Sequence, residues 1–72
     1  MTVAEKVRIR LNGKDREIAA GLSVAALLEE LELHPATVVV ELNREILERG
    51  RYADVEVADG DSIELVHFVG GG

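Results

Sequence analysis

The sequence predicts an α+β domain, four or five strands in one sheet with a single helix covering one face. Three observations carry that prediction. Residues 6–12, KVRIRLN, alternate apolar and charged and run into Asn12-Gly13. Val24, Leu27, Leu28 and Leu31 recur at helical spacing. Residues 62–69, SIELVHFV, form a final apolar run with the period of a strand.

In the first run Val7, Ile9 and Leu11 share one face and Arg8 and Arg10 the other, the signature of a half-buried strand. Asn-Gly supplies a two-residue hairpin turn, because both residues accept positive φ. That turn sets a register of Leu11 with Lys14, Arg10 with Asp15, Ile9 with Arg16, Arg8 with Glu17 and Val7 with Ile18. Two opposite-charge pairs then fall on the face away from the apolar side chains.

Gly21 ends the second strand, and Ser23 is placed as a helix N-cap with Leu22 and Leu27 as its hydrophobic staple. The helix runs for about ten residues by its apolar spacing, with Glu29, Glu30 and Glu32 largely on the other side. His34-Pro35 closes it, since the residue before a proline is pushed out of helical geometry. TVVVELN (37–43) is a β-branched strand and REIL (44–47) folds back beside it. Residues 48–58 are looser, Asp59-Gly60 makes a turn, and the last strand follows.

Composition narrows the function. A chain of 72 residues makes one domain with a thin core and no room for a deep substrate pocket. Zero cysteines exclude disulfides, a thiol nucleophile and Cys-based metal sites, and fit a reducing compartment. A net charge of −6 with one Tyr, one Phe and no Trp argues against nucleic acid. No run approaches the ~20 apolar residues of a membrane span, and the N-terminus lacks a signal-peptide pattern. The expectation is a soluble, cytoplasmic protein.

Catalytic groupings are missing from the pattern. His34 stands beside Pro35, His67 lies in the last strand, and the two serines are a cap and a turn neighbour. The 14 acids are scattered without metal-cage spacing, so no metal site is expected. His67 reads as a partly buried residue near the sheet edge, and Tyr52 as a packed loop aromatic. Parity places Glu64, Val66 and Phe68 opposite Ile63 and Leu65, on the side that a single helix leaves open. Val66 and Phe68 there form a docking patch for a partner, or else Phe68 folds over the sheet edge.

DGDSIELVHFVGGG (59–72) resembles the C-terminal signature of the ThiS family of sulfur carriers, which are ubiquitin-like β-grasp domains. LNGKDREI with LSVAALLEELEL resembles the family's opening hairpin and helix, and ELNREIL its central hairpin. The likeness covers essentially the whole chain and implies a mixed four- to five-stranded sheet, with a β-grasp domain at 1–69 and a flexible glycine tail at 70–72. The chain departs from the family at Asn43-Arg44, where Asn-Gly is typical. Arginine at positive φ is disfavoured by roughly 1–2 kcal/mol, so a different turn type is expected there.

The resemblance implies a carrier rather than an enzyme. A ThiF-like adenylating enzyme spends ATP on the Gly72 carboxylate, and a persulfide-bearing desulfurase or a rhodanese supplies sulfur. The thiocarboxylate then serves a ThiG-like thiazole synthase in thiamine biosynthesis. No cofactor is bound by the carrier itself. Gly70 and Gly71 would thread the partner's active site, with Glu64, Val66 and Phe68 docking the body. From Val69 onward four extended residues reach at most about 13–14 Å, and glycine lacks the Cβ that would block a narrow channel. Three alternatives stay open: a carrier serving another acceptor (molybdopterin, a thiolated tRNA base or cysteine), a ubiquitin-like modifier joined to lysines, and a plain interaction module whose glycines carry no chemistry.

Overall fold

Asn12 and Gly13 take φ of +50° and +83°, and the strands on either side pair in the register that this turn dictates. In the computed structural model, which describes residues 5–68, these strands are β1 (Lys6–Leu11) and β2 (Lys14–Ala19). They are followed by helix α1 (Val24–Glu30), then β3 (Val38–Leu42), β4 (Glu45–Leu47) and β5 (Ser62–His67). Short 3-10 turns occupy Pro35–Thr37 and Arg49–Arg51. Sheet order is β2-β1-β5-β3-β4, with β5 parallel to β1 and antiparallel to β3. One helix on a mixed five-stranded sheet is the ubiquitin-like β-grasp that the sequence predicts. The expected domain boundary at residue 69 and the tail residues Gly70, Gly71 and Gly72 lie outside the described residues.

The core lies between the helix and the inner sheet face. Ile9, Ile18, Val38, Val40 and Ile63 meet Val24, Leu27 and Leu28 there, closed at one end by Tyr52 and Val57. These ten are all buried, so every strand but the short β4 contributes at least one buried side chain. The buried Tyr52 hydroxyl donates to the Val38 carbonyl oxygen at 3.1 Å, which satisfies the one polar atom its ring carries inside.

The helix is shorter than its apolar spacing predicts. Ser23 caps it as expected, its Oγ accepting from the Ala26 N–H at 3.0 Å, with Leu22 packed against the core beside buried Leu27. The far end closes before His34-Pro35. Glu32 turns to φ +60°, donating its N–H to Glu29, while the Leu33 N–H reaches the Leu28 carbonyl at 2.9 Å. This is a Schellman closure, which ends a helix without needing a proline. His34 instead caps the next 3-10 turn, its Nδ1 accepting from the Ala36 N–H at 3.1 Å.

Residues 48–58 are tied down more firmly than expected. The carbonyls of Val55 and Tyr52 accept the Val24 and Ala25 N–H groups at 2.9 and 2.8 Å, and the Val57 N–H reaches the Leu22 carbonyl at 2.8 Å. The segment therefore serves the helix N-terminus, whose first N–H groups have no partner within the helix.

The second hairpin keeps the turn that its local sequence disfavours. Asn43 and Arg44 stand at φ +50° and +71°, the same signs as Asn12-Gly13. The reason is tertiary: Asn43 is clamped, its Oδ1 accepting from the Ser62 N–H at 2.9 Å and its Nδ2 donating to Asp61 Oδ1 at 3.0 Å. A turn held at both ends of one side chain can impose a costly conformation on the residue after it.

Candidate functional site

The helix covers the inner face of the sheet only, so every second strand residue points to an open face. On β2 and β1 that face carries charge. Arg8 pairs with Glu17 at 3.7 Å, both well exposed, Arg10 stands opposite Asp15 in register, and Lys6 faces Ala19. Exposed pairs of this kind contribute little to stability.

The other half of the open face carries exposed apolar residues around a glutamate pair. Val66 of β5 lies opposite Val39 of β3, and Ile46 of β4 lies opposite Glu41, itself opposite Glu64. Phe68 continues the alternation from Val66, its N–H donating to the Thr37 carbonyl at 2.8 Å. Ile46, Val66 and Phe68 are 68%, 56% and 48% exposed, the large apolar side chains most open to solvent among the described residues. The sequence placed Glu64, Val66 and Phe68 on this face, and parity held for all three.

Ile46 was the residue missed. Its signal was present: a two-residue turn at Asn43-Arg44 pairs Leu42 with Glu45 and so sets Ile46 beside Glu41 on the open face. Expecting another turn type there discarded that register. Glu41 and Glu64 form a like-charge pair directly across the strands, an unfavourable arrangement for the isolated domain. A shallow depression of about 290 Å³ between Arg10, Gly13, Glu41, Arg44, Ser62 and Glu64 runs beside them.

His67 differs from expectation. It is exposed rather than partly buried, and although β5 is the middle strand of the sheet, β1 no longer runs beside it at His67. Its side chain has the inner-face parity of Ile63 and Leu65, opposite Val38. Tyr52 is the packed aromatic that the sequence suggested. Among the described residues, no group of three or more His, Asp or Glu side chains is placed to hold a metal ion, and no helix is long and apolar enough to cross a membrane. What the geometry offers chemistry is one directed element: β5, gripped along both sides at its start, followed in sequence by residues that lie outside the described ones.

The ThiS family model matches residues 9–72. The chain is 45% identical over 65 residues to the sulfur carrier protein ThiS of Bacillus subtilis, covering 89% of this chain and 98% of that one. It is 35% identical over 66 residues to the Escherichia coli sulfur carrier protein ThiS, covering 92% and 100%. It is also 44% identical over 66 residues to a thiazole synthase of Paramagnetospirillum magneticum, covering 92% of this chain but only 20% of that protein. The crystal structure of a thiamine biosynthesis protein, ThiS, from Geobacter metallireducens superposes with a TM-score of 0.79 at 39% identity, covering 92% and 100%.

Proposed function

The chain belongs to the ThiS family of sulfur carriers, and we propose that its working group is the Gly72 carboxylate, converted to a thiocarboxylate for thiazole formation in thiamine biosynthesis. The single observation that carries this reading is the family match, which runs through residue 72 and so includes the glycine tail.

A free carboxylate is a poor acyl donor. A ThiF-like partner enzyme transfers AMP from ATP to one Gly72 oxygen, releasing pyrophosphate, so that AMP becomes the leaving group. A persulfide on a desulfurase or rhodanese attacks the carbonyl carbon and displaces AMP. A second thiol then attacks the donor's sulfur of the resulting acyl disulfide, forming a disulfide with the donor and releasing Gly72 as the thiocarboxylate. None of these steps asks a side chain of the carrier to act. The carrier's contribution is to present a slender terminus and a surface to dock.

Docking is needed on energetic grounds. Ordering the tail costs roughly 1–2 kcal/mol per residue, which a partner must offset through contacts with the body. This half of the open face, with Val66 and Phe68 beside the root of the tail and Glu64 next to them, is the surface we assign to that role. Thiazole synthase is the proposed acceptor, because the relative bearing that name contains a segment 44% identical to this chain.

Intact mass spectrometry tests the reading. The carrier is incubated with its cognate adenylating enzyme, ATP and a persulfide donor. An oxygen-to-sulfur mass increment at Gly72 is expected, and an unchanged mass would overturn the reading.

A further inference from the structure

Strand β5 outruns β1. Their parallel pairing covers only Arg10 with Ser62 and Leu11 with Ile63, because β1 ends at Leu11 and the chain turns away at Asn12-Gly13. Two contacts finish the junction: the Asn12 N–H donates to the Ile63 carbonyl at 2.9 Å, and Asn12 Oδ1 accepts from the Leu65 N–H at 2.8 Å. Beyond Leu65 the flank facing away from β3 has no further strand beside it among the described residues.

Backbone alternation identifies the groups left there. Ser62 and Phe68 hydrogen-bond to β3 and its flanks, through Asn43 and Thr37, so even-numbered residues of β5 direct their N–H and C=O toward β3. Odd-numbered residues direct theirs the other way, as Ile63 and Leu65 show with Asn12. The Leu65 carbonyl and the His67 N–H and carbonyl therefore line a short free edge. No described residue hydrogen-bonds to them on that side, and His67 is exposed.

We propose that this edge is a strand-addition site, on which an extended main-chain segment of the adenylating partner pairs with Leu65 and His67. The proposal rests on the reading above, that Gly72 enters that partner's active site. The partner is favoured over a second copy of this chain by charge, since two chains of net charge −6 repel each other. Three main-chain groups are too few to hold a partner alone, but they adjoin exposed Val66 and Phe68 and lie at the root of the tail. Main-chain pairing of this kind fixes direction without demanding particular side chains. Pairing there would hold residues 65–68 extended from both sides and so aim the tail.

Proline distinguishes the edge from the side chain. His67→Pro removes only an N–H that faces away from β3, a position where sheets accept proline, whereas His67→Ala keeps it. With the cognate adenylating enzyme and ATP, carrier-dependent pyrophosphate exchange is measured as a function of carrier concentration. His67→Pro is expected to raise the carrier KM by about tenfold, with His67→Ala close to wild type. Equal KM values for the two variants would overturn the proposal, while absence of exchange with wild type would instead overturn the carrier reading.

Amide hydrogen exchange on wild type covers the case in which His67→Pro does not fold. The His67 N–H is expected to slow on adding the enzyme, whereas the Phe68 N–H, already bonded to Thr37, changes less. An unchanged His67 rate in the complex, or slowing that depends on the carrier's own concentration without enzyme, would overturn strand addition by the partner.

Discussion

Asn12 accepts the Leu65 N–H through its side-chain Oδ1 at 2.8 Å, across 53 residues of sequence. Asn43, the matching residue of the other hairpin turn, accepts the Ser62 N–H at 2.9 Å. The central strand is thus held from both flanks by the turn asparagines of the two hairpins. Asn12→Gly keeps the positive φ that the turn requires but loses the latch. It is expected to lower stability by about 1 kcal/mol, read as a shift of the urea midpoint at constant slope.

Arg44 and Glu32 hold left-handed backbone without glycine, at φ +71° and +60°. Replacing either by glycine relieves about 1–2 kcal/mol of local strain while adding about 0.4–1 kcal/mol of unfolded-state entropy. A net gain of about 0.5–1 kcal/mol is expected for Arg44→Gly and for Glu32→Gly, visible as higher thermal midpoints. No gain at either site would show that the neighbouring contacts already select those conformations.

Tyr52→Phe leaves the buried Val38 carbonyl without its hydroxyl donor while preserving the ring. A loss of about 1–2 kcal/mol is expected in chemical unfolding, with the fold retained by circular dichroism. A neutral result would mean that the carbonyl finds water instead.

Ile46, Val66 and Phe68 share the open face and are each about half exposed or more. Aspartate at any one of them should leave the domain folded and weaken docking, raising the carrier KM for adenylation severalfold while the maximal rate stays near wild type. If Val66→Asp and Phe68→Asp both show wild-type kinetics, the apolar patch has no part in activation.

Gly72→Ala adds a methyl group to the residue proposed to enter a narrow partner site. The variant should unfold at the wild-type midpoint yet accumulate thiocarboxylate much more slowly by intact mass. Removing Gly71 and Gly72 should abolish the mass increment entirely. Wild-type transfer by either variant would place the reactive group elsewhere.

The first hairpin and the strand parities were legible in the residues themselves. Asn12-Gly13 set the β1–β2 register, and alternation alone put Glu64, Val66 and Phe68 on the open face, because a period of two and a two-residue turn are local properties. The docking candidates and the glycine tail followed from the same local reading and from the family likeness.

Other features were decided by hydrogen bonds that apolar periodicity does not encode, one set local and the rest between distant segments. Helix spacing predicted Leu31 inside α1, yet the Schellman closure at Glu32 ended the helix at Glu30. The local penalty on Arg44 predicted a different turn, yet the clamp between Asn43, Asp61 and Ser62 held it. Nor does pattern reveal that β5 slots between β1 and β3 and outruns β1, since strand order depends on which apolar faces bury together. Sequence by itself determined the alternation, the first turn and the faces, each governed by neighbours a few residues apart. Tertiary structure alone decided which strained turn survived and which flank of β5 stayed open, because those outcomes balance local cost against hydrogen bonds spanning 18 to 53 residues.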